Sequence, residues 1–184
     1  MEWVCDQGMS LHVIIGSMFS GKSTELTRRV DRLVAIGIRC LVVNHTSDTR
    51  VAGNFMQTHA GKRTAAKKTD DLLLVDVRPY DAIAIDEAQF FLNLRAAVML
   101  MVEKHGKHVI VAGLSGDYLR KPFGEILDLV PLADDVQFKR ALCARCQHPD
   151  RLASFTKRIS TETVLVSVAS EYQAVCRQCY LLSR

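Results

Sequence analysis

Hydrophobic residues in this chain fall into short unbroken runs separated by segments of helical periodicity. Leu11-His12-Val13-Ile14-Ile15, Arg39-Cys40-Leu41-Val42-Val43, Ala82-Ile83-Ala84-Ile85-Asp86 and His108-Val109-Ile110-Val111-Ala112-Gly113 each read as a strand. Near-continuous apolar runs of this length suit strands buried on both faces. Between the first two, Thr24 to Ile36 is amphipathic, with Leu26, Val30, Leu33 and Val34 on one face and Gly37 as its stop. Ala96 to His105 repeats the pattern, with Val98, Met101 and Val102 inward and Gly106 ending it. Phe123 to Val130 predicts a short helix stopped by Pro131. Val51 to Lys68 has no clear periodicity and several basic residues, the texture of a long mobile excursion. Strands alternating with helices predict an α/β fold, a parallel sheet flanked by helices, with ligands at the carboxyl ends of its strands.

From about Phe138 the texture changes: apolar runs shorten, basic residues gather and four cysteines appear. This predicts two units, residues 1–138 as the nucleotide-type α/β domain and 139–184 as a small second lobe. A chain of 184 residues can bury one such core and a satellite. A net charge of +4 suits anionic ligands but is too small to argue for nucleic acid. No apolar run reaches membrane-spanning length, and Met1 to Ser10 lacks the layout of a secretory leader. The expectation is a cytoplasmic protein with no membrane partner, whose cysteines are thiols or metal ligands.

The strongest chemical signal is Gly16-Ser17-Met18-Phe19-Ser20-Gly21-Lys22-Ser23, which has the G-x-x-x-x-G-K-[ST] spacing of a phosphate-binding loop between a strand and a helix. Its glycines let successive N–H groups face a polyphosphate, and the helix N-terminus adds partial positive charge. Lys22 would reach the β- and γ-phosphates and the Ser23 hydroxyl would ligate Mg²⁺. Average residue usage makes a chance match in a chain this long roughly a 1% event.

Asp86-Glu87 closes the third apolar run as the second element of such a site, where an acid holds Mg²⁺. Glu87 is either the carboxylate that takes a proton from an attacking hydroxyl or a solvated strand-end acid, and the phosphate loop favours the former. Asp48 and Arg50 could face the same rim, although their pattern alone reads as a surface turn, as does that of His59 beside Gly61. Phe90, Phe91 and Tyr118 follow strands where a ring-shaped ligand would lie, with one of Phe90 and Phe91 expected in the core. Cys143-x-x-Cys146 and Cys176-x-x-Cys179 have the pattern of a closed, structural Zn²⁺ site, with Thr161 to Ser170 as the tip of a lid between them. A disulfide pair or a redox motif is the alternative for these knuckles. Cys5 and Cys40 read as small apolar residues.

In this order the motifs resemble the cytosolic-type (type II) thymidine kinases, from about Leu11 to Tyr180. The resemblance is carried by Met18-Phe19-Ser20-Gly21-Lys22-Ser23-Thr24-Glu25-Leu26, Asp48-Thr49-Arg50, Thr58-His59, Ile85-Asp86-Glu87-Ala88-Gln89-Phe90-Phe91, Arg120-Lys121-Pro122-Phe123-Gly124, Leu129-Val130-Pro131-Leu132, Thr156-Lys157-Arg158 and both cysteine pairs. It implies a RecA-like P-loop NTPase domain with a zinc lobe and lasso-like lid, transferring the γ-phosphoryl of ATP to the 5′-hydroxyl of thymidine or deoxyuridine with Mg²⁺. On this resemblance Glu87 is the base. Residues Gly16 to Ser23, Asp48, Thr49, Arg50, Asp86, Glu87, Ala88 and Gln89 line the triphosphate site. Phe90 and Tyr118 lie by the pyrimidine, and Met18, Leu114, Thr156 and Tyr172 enclose its 5-methyl group. Val164, Leu165, Val166, Ser167 and Val168 cover the nucleoside, Ser23 and Asp86 serve Mg²⁺, and the four cysteines hold Zn²⁺. It further implies a homotetramer restrained by dTTP. The chain departs from the family pattern at Ser17, where Pro is frequent, at Ala60, at Tyr118 and in a lid lacking Gly-Gly. The rival reading is a P-loop ATPase whose zinc ribbon binds nucleic acid through Arg28, Arg29, Arg32, Lys139, Arg140, Arg145, Lys157 and Arg158.

Overall fold

The computed structural model describes residues 8–48, 55–57, 63–159 and 171–182. In chain order the elements are β1 (Ser10–Gly16), α1 (Lys22–Ala35), β2 (Cys40–His45), β3 (Phe55–Gln57), β4 (Arg63–Ala65), β5 (Lys67–Thr69), β6 (Ala82–Asp86), α2 (Leu94–Met99), β7 (His108–Leu114) and β8 (Asp135–Lys139). The second lobe follows as β9 (Ala141–Leu142), β10 (Leu152–Ala153), β11 (Phe155–Arg158), β12 (Tyr172–Val175) and α3 (Arg177–Leu181).

Six strands form one sheet in the order β5-β2-β6-β7-β1-β8, and every pair in it is parallel. The four apolar runs are its central strands, which explains their composition: Val13, Ile83, Ile85, Val109 and Val111 face one side, Ile14, Ala84, Ile110 and Ala112 the other, and all are buried. The first face packs against Leu94, Val98, Met101 and Ile126 in the larger core. The second receives Leu26 and Val30 of α1. Parallel strands covered on both faces are the expected outcome of strand–helix alternation.

Three expectations change. The helix predicted from Ala96 begins earlier, at Leu94, and widens into a π-type turn over Leu100–Lys104 before Gly106. The segment predicted as Phe123 to Val130 is a 3₁₀ stretch over Ile126–Leu132 that contains Pro131 instead of ending at it. Pro131 is tolerated because the stretch is a succession of short turns, such as Asp128 N–H to Glu125 O and Ala133 N–H to Val130 O, in which no bond asks for a proline N–H. The excursion after Val51 carries β3 paired antiparallel with β4, and β5 on the outer edge of β2. Three-residue strands rich in Lys, Arg and Thr are too short to show a period of two. The edge strand β8 likewise escaped prediction, since most of its residues are exposed and its pattern is not apolar.

At the amino ends of β1 and β7 lies a polar knot. His12 and His108 meet edge to face at 4.7 Å. His108 Nδ1 shares a 2.6 Å hydrogen bond with Ser10 Oγ, and His12 Nδ1 lies 3.1 Å from Arg29 Nη1, which also donates to Asp135. Burial, then His12 and Arg29, hold His108 down to about 4, against the pull of Asp134. Burial and Arg29 lower His12 as well, opposed by Asp135 and Asp134. Because these values lie below the ordinary 6.5, protonation favours the unfolded chain. The stabilising contribution is whole above about pH 6.5 and is lost as pH falls towards about 4. The expected outcome is a denaturation midpoint that declines across that window, and a shallower decline in His108→Asn. An unchanged slope in the variant would refute the assignment.

Candidate active site

Because the sheet is parallel, β1, β2, β6 and β7 deliver their carboxyl ends to one edge, and the candidate residues stand there. Gly16 ends β1 beside Lys139 of β8, and a Cβ on Gly16 would lie 2.1 Å from the Lys139 carbonyl oxygen and 3.1 Å from Ser20 Oγ. Only glycine fits this approach. Gly21 caps α1 at φ +76, the left-handed conformation that turns the loop into the helix. Across the loop Lys22 Nζ donates to Ser17 O at 2.8 Å. The whole loop is therefore curled around its own lysine, with the N-terminus of a fourteen-residue helix beneath it.

Asp86 ends β6, fully buried and in register with Asn44 of β2. Asn44 Nδ2 donates at 2.8 Å to Asp48, which is itself buried, so the strand-end acids and the turn after β2 share one polar wall. Lys68 Nζ donates to the Asp48 carbonyl at 2.8 Å. One strand, β7, separates β6 from β1. Two strand spacings are about 10 Å, a gap that a magnesium-bound triphosphate can bridge.

Glu87 adopts φ 51 and ψ 38, a left-handed conformation costing a non-glycine residue roughly 1–3 kcal/mol. Gln89 holds it there: its Nε2 donates to Glu87 Oε2 at 2.7 Å, while its Oε1 accepts from Leu114 N at 2.9 Å. Two glycines make room for this strut. A Cβ on Gly113 would meet Gln89 Oε1 at 2.6 Å, and one on Gly124 would meet the Gln89 carbonyl at 2.3 Å. Gln89 was expected to line the triphosphate site, and its side chain braces Glu87.

Phe91 is fully buried and Phe90 half-buried, which divides the pair as anticipated between core and rim. The Phe90 ring sits 5.5 Å from Phe123 and 5.6 Å from His45. Neither neighbour was expected at this rim. His45 could have been, as the last residue of a strand ending at the site; its Nδ1 accepts from Ser47 N, and burial lowers its pKa. Tyr118 lies under the Arg158 guanidinium at 5.6 Å, and its carbonyl accepts from Tyr180 Oη.

The second lobe touches this edge directly. Met18 N donates to Thr156 Oγ1 at 3.0 Å and Ser17 Oγ to Ala153 O at 3.0 Å. Tyr172 stands opposite Arg158 in the β11–β12 pair and so shares a face with Thr156. A cleft of about 340 Å³ opens where loop and lobe meet, with Ser17, Arg120, Phe155 and Thr156 in its wall. Arg120 and Arg177 lay their guanidinium groups over Tyr180 at 4.5 Å and Phe155 at 4.8 Å.

Cys143, Cys146, Cys176 and Cys179 hold their sulfurs within 4.8 Å of one another and are positioned to bind a metal ion. Cys146 Sγ lies 3.4 Å from Cys179 Sγ and 3.8 Å from Cys176 Sγ. Disulfides are about 2.05 Å, whereas thiolates around tetrahedral zinc stand about 3.8 Å apart. The lobe also stabilises thiolate: although burial opposes it, the backbone N–H groups of Cys176, Cys146 and Arg145 bring Cys143 down to about 6. Hydrogen bonding to Cys179 and Cys143 pushes Cys146 up to about 12, since further negative charge is unwelcome beside the first. A dication resolves that conflict.

Thr49, Arg50, His59, Cys5 and the lid residues Val164, Leu165, Val166, Ser167 and Val168 lie outside the described residues. The basic residues of the nucleic-acid reading are partly engaged within the fold. Arg28 and Arg29 pair with Glu25, whose carboxyl Arg28 above all holds down to about 2. Arg158 faces Glu171 at 3.8 Å. Among the described residues no helix is long and apolar enough to cross a membrane.

The thymidine kinase family model matches residues 9–180. The chain belongs to the thymidine kinase family. It is 42% identical over 178 residues to the thymidine kinase of raccoon poxvirus, a match covering 95% of this chain and 98% of the relative. It is 43% identical to human cytosolic thymidine kinase, over 92% of this chain and 72% of the human protein. Thymidine kinase a of Arabidopsis thaliana is 40% identical, over 94% and 75%. The family match covers the β1 loop, the β6 acids and the four cysteines.

Gly16→Ala provides a test of the loop geometry. Its Cβ would overlap the Lys139 carbonyl, and the expected outcome is about 1–3 kcal/mol lost in denaturant unfolding, with ATP binding abolished in isothermal titration. Native-like ATP affinity in this variant would contradict the close approach.

Proposed function

We propose that this protein transfers the γ-phosphoryl group of ATP to the 5′-hydroxyl of thymidine, or of deoxyuridine. The observation that carries the reading is the meeting, at one sheet edge, of a phosphate loop with a Glu87 carboxylate aimed by Gln89. ATP lies along the loop, its phosphates on the backbone N–H groups at the start of α1 and on Lys22. Ser20 Oγ, buried in the loop with no hydrogen-bond partner among the described residues, suits a phosphate oxygen. Ser23 and Asp86 supply hard oxygen donors for Mg²⁺, which offsets charge on the transferred group. In this reading Thr49 and Arg50 also serve the triphosphate.

The nucleoside enters between the Phe90 rim and the second lobe, its base near Tyr118 and its 5-methyl group among Met18, Leu114, Thr156 and Tyr172. Glu87 accepts the proton of the 5′-hydroxyl as its oxygen attacks the γ-phosphorus, the bond from that phosphorus to the β–γ bridging oxygen breaks, and ADP leaves. Holding the carboxylate in a strained but braced conformation removes the freedom to swing away, which is the contribution that orientation makes to catalysis. The Val164–Val168 segment closes over the nucleoside and keeps water from competing as acceptor. Zn²⁺ bound by the four cysteines fixes the base of that segment. The division of labour between residues 1–138 and 139–184, a cytoplasmic location, a homotetrameric state and restraint by dTTP accompany this proposal.

Glu87→Gln tests the chemistry. Turnover of thymidine is expected to fall roughly 10²–10⁴-fold while ATP and thymidine still bind, as read by radiolabelled-phosphate transfer and titration calorimetry. Near-normal turnover would remove Glu87 from its role. For the metal, elemental analysis of reduced protein is expected to find one zinc per chain and Cys146→Ser to lose it. Full zinc content in that variant would disprove the four-thiolate site.

A further inference from the structure

Ser17 is a loop residue whose side chain points to the second lobe. It is 3% exposed, its Oγ donates to Ala153 O at 3.0 Å, and its own carbonyl accepts from Lys22 Nζ at 2.8 Å. One residue on, Met18 N donates to Thr156 Oγ1 at 3.0 Å, and Thr156 is 6% exposed. The two acceptors sit close to the cysteine cluster. Ala153 pairs with Ala141, two residues before Cys143, and Cys143 N bonds back to Arg151 O at 2.7 Å. Thr156 pairs with Ala174, two residues before Cys176, and the Ala174 carbonyl accepts from Ala144 N at 2.9 Å. Ala141, Cys143, Ala153, Ala174, Val175 and Cys176 make up the buried core of the lobe. A continuous path of short hydrogen bonds and paired strands therefore runs from the four sulfurs to the residue that receives the loop lysine.

We propose that Ser17 is a positioning residue that latches the phosphate loop to the cysteine-held lobe, so that affinity for a nucleoside polyphosphate depends on the metal in that lobe. The inference rests on the loop being the ATP site. Proline stiffens the loop from within by fixing φ, whereas Ser17 borrows rigidity from the lobe. With the lobe loosened, the Ser17 side chain loses its anchor and the carbonyl that orients Lys22 drifts with it. Both anchors are buried, so neither bond is readily replaced by water.

The test is the dissociation constant of MgADP, measured without nucleoside on protein loaded with Zn²⁺ and on protein stripped by chelator and returned to Mg²⁺. Stripping is expected to weaken binding by the native chain roughly five- to tenfold, the worth of a buried hydrogen bond. Zinc-loaded Ser17→Ala is expected to be weakened by a similar factor, with stripping adding about twofold or less. Ser17→Pro is expected to bind with little regard to the metal. Should the stripped lobe unfold, zinc-loaded Thr156→Val decides the matter. It lies outside the loop, and its MgADP affinity is expected to fall several-fold even with no nucleoside present. Native affinity that ignores the metal, a full metal effect surviving in Ser17→Ala, or unaltered MgADP binding by Thr156→Val would each overturn the latch while leaving the nucleotide site in place. Failure of the zinc-loaded native chain to bind MgADP at all would overturn both.

Discussion

Parallel hydrogen bonding between β6, β7, β1 and β8 is the constraint from which the rest follows. It aligns every carboxyl end on one edge, so a loop after β1 and an acid after β6 meet without any long-range search for partners. It also sets their separation, because β7 must lie between them. The same register brings the Lys139 carbonyl against Gly16 and Gln89 against Gly113. These two strand glycines thus serve opposite ends of the site, one admitting the phosphate loop and the other admitting the strut on Glu87. Strain at Glu87 is sustained by the end of β6 and by the Gln89 amide, which the main chain of β7 holds in turn.

Much of this was legible in the residues, for reasons that differ by element. The central strands could be read because burial on both faces leaves almost no polar residue in them, and Ala82–Asp86 matched to the residue. The loop could be read because its chemistry is local: glycine spacing, lysine and hydroxyl all lie within eight positions. Edge strands could not. In β5 and β8 one side meets solvent, and Lys67, Lys68, Asp135 and Gln137 obscure any apolar pattern. Nor could the partnership of Ser17 with Ala153, or of Gln89 with Leu114, since each joins residues far apart in the chain through a main-chain carbonyl or amide that carries no side-chain signature. His45 and Phe123 were overlooked for a related reason. Their part in the rim depends on ring contacts with Phe90 that only the folded chain creates.

The second lobe has a different physical basis from the sheet. Among the described residues its buried apolar core comprises six, four of them alanine or valine and two of them cysteine. Apolar burial on that scale cannot order a segment of its length by itself. Order comes instead from sulfur chemistry on one side and from the main domain on the other, through the Ser17 and Met18 bonds, the Tyr180 hydroxyl on Tyr118 O, and guanidinium groups stacked on Phe155 and Tyr180. Rigidity at the sheet edge comes from strands buried on both faces, and in the lobe from the cysteines and the bonds that tie it to the β1 loop.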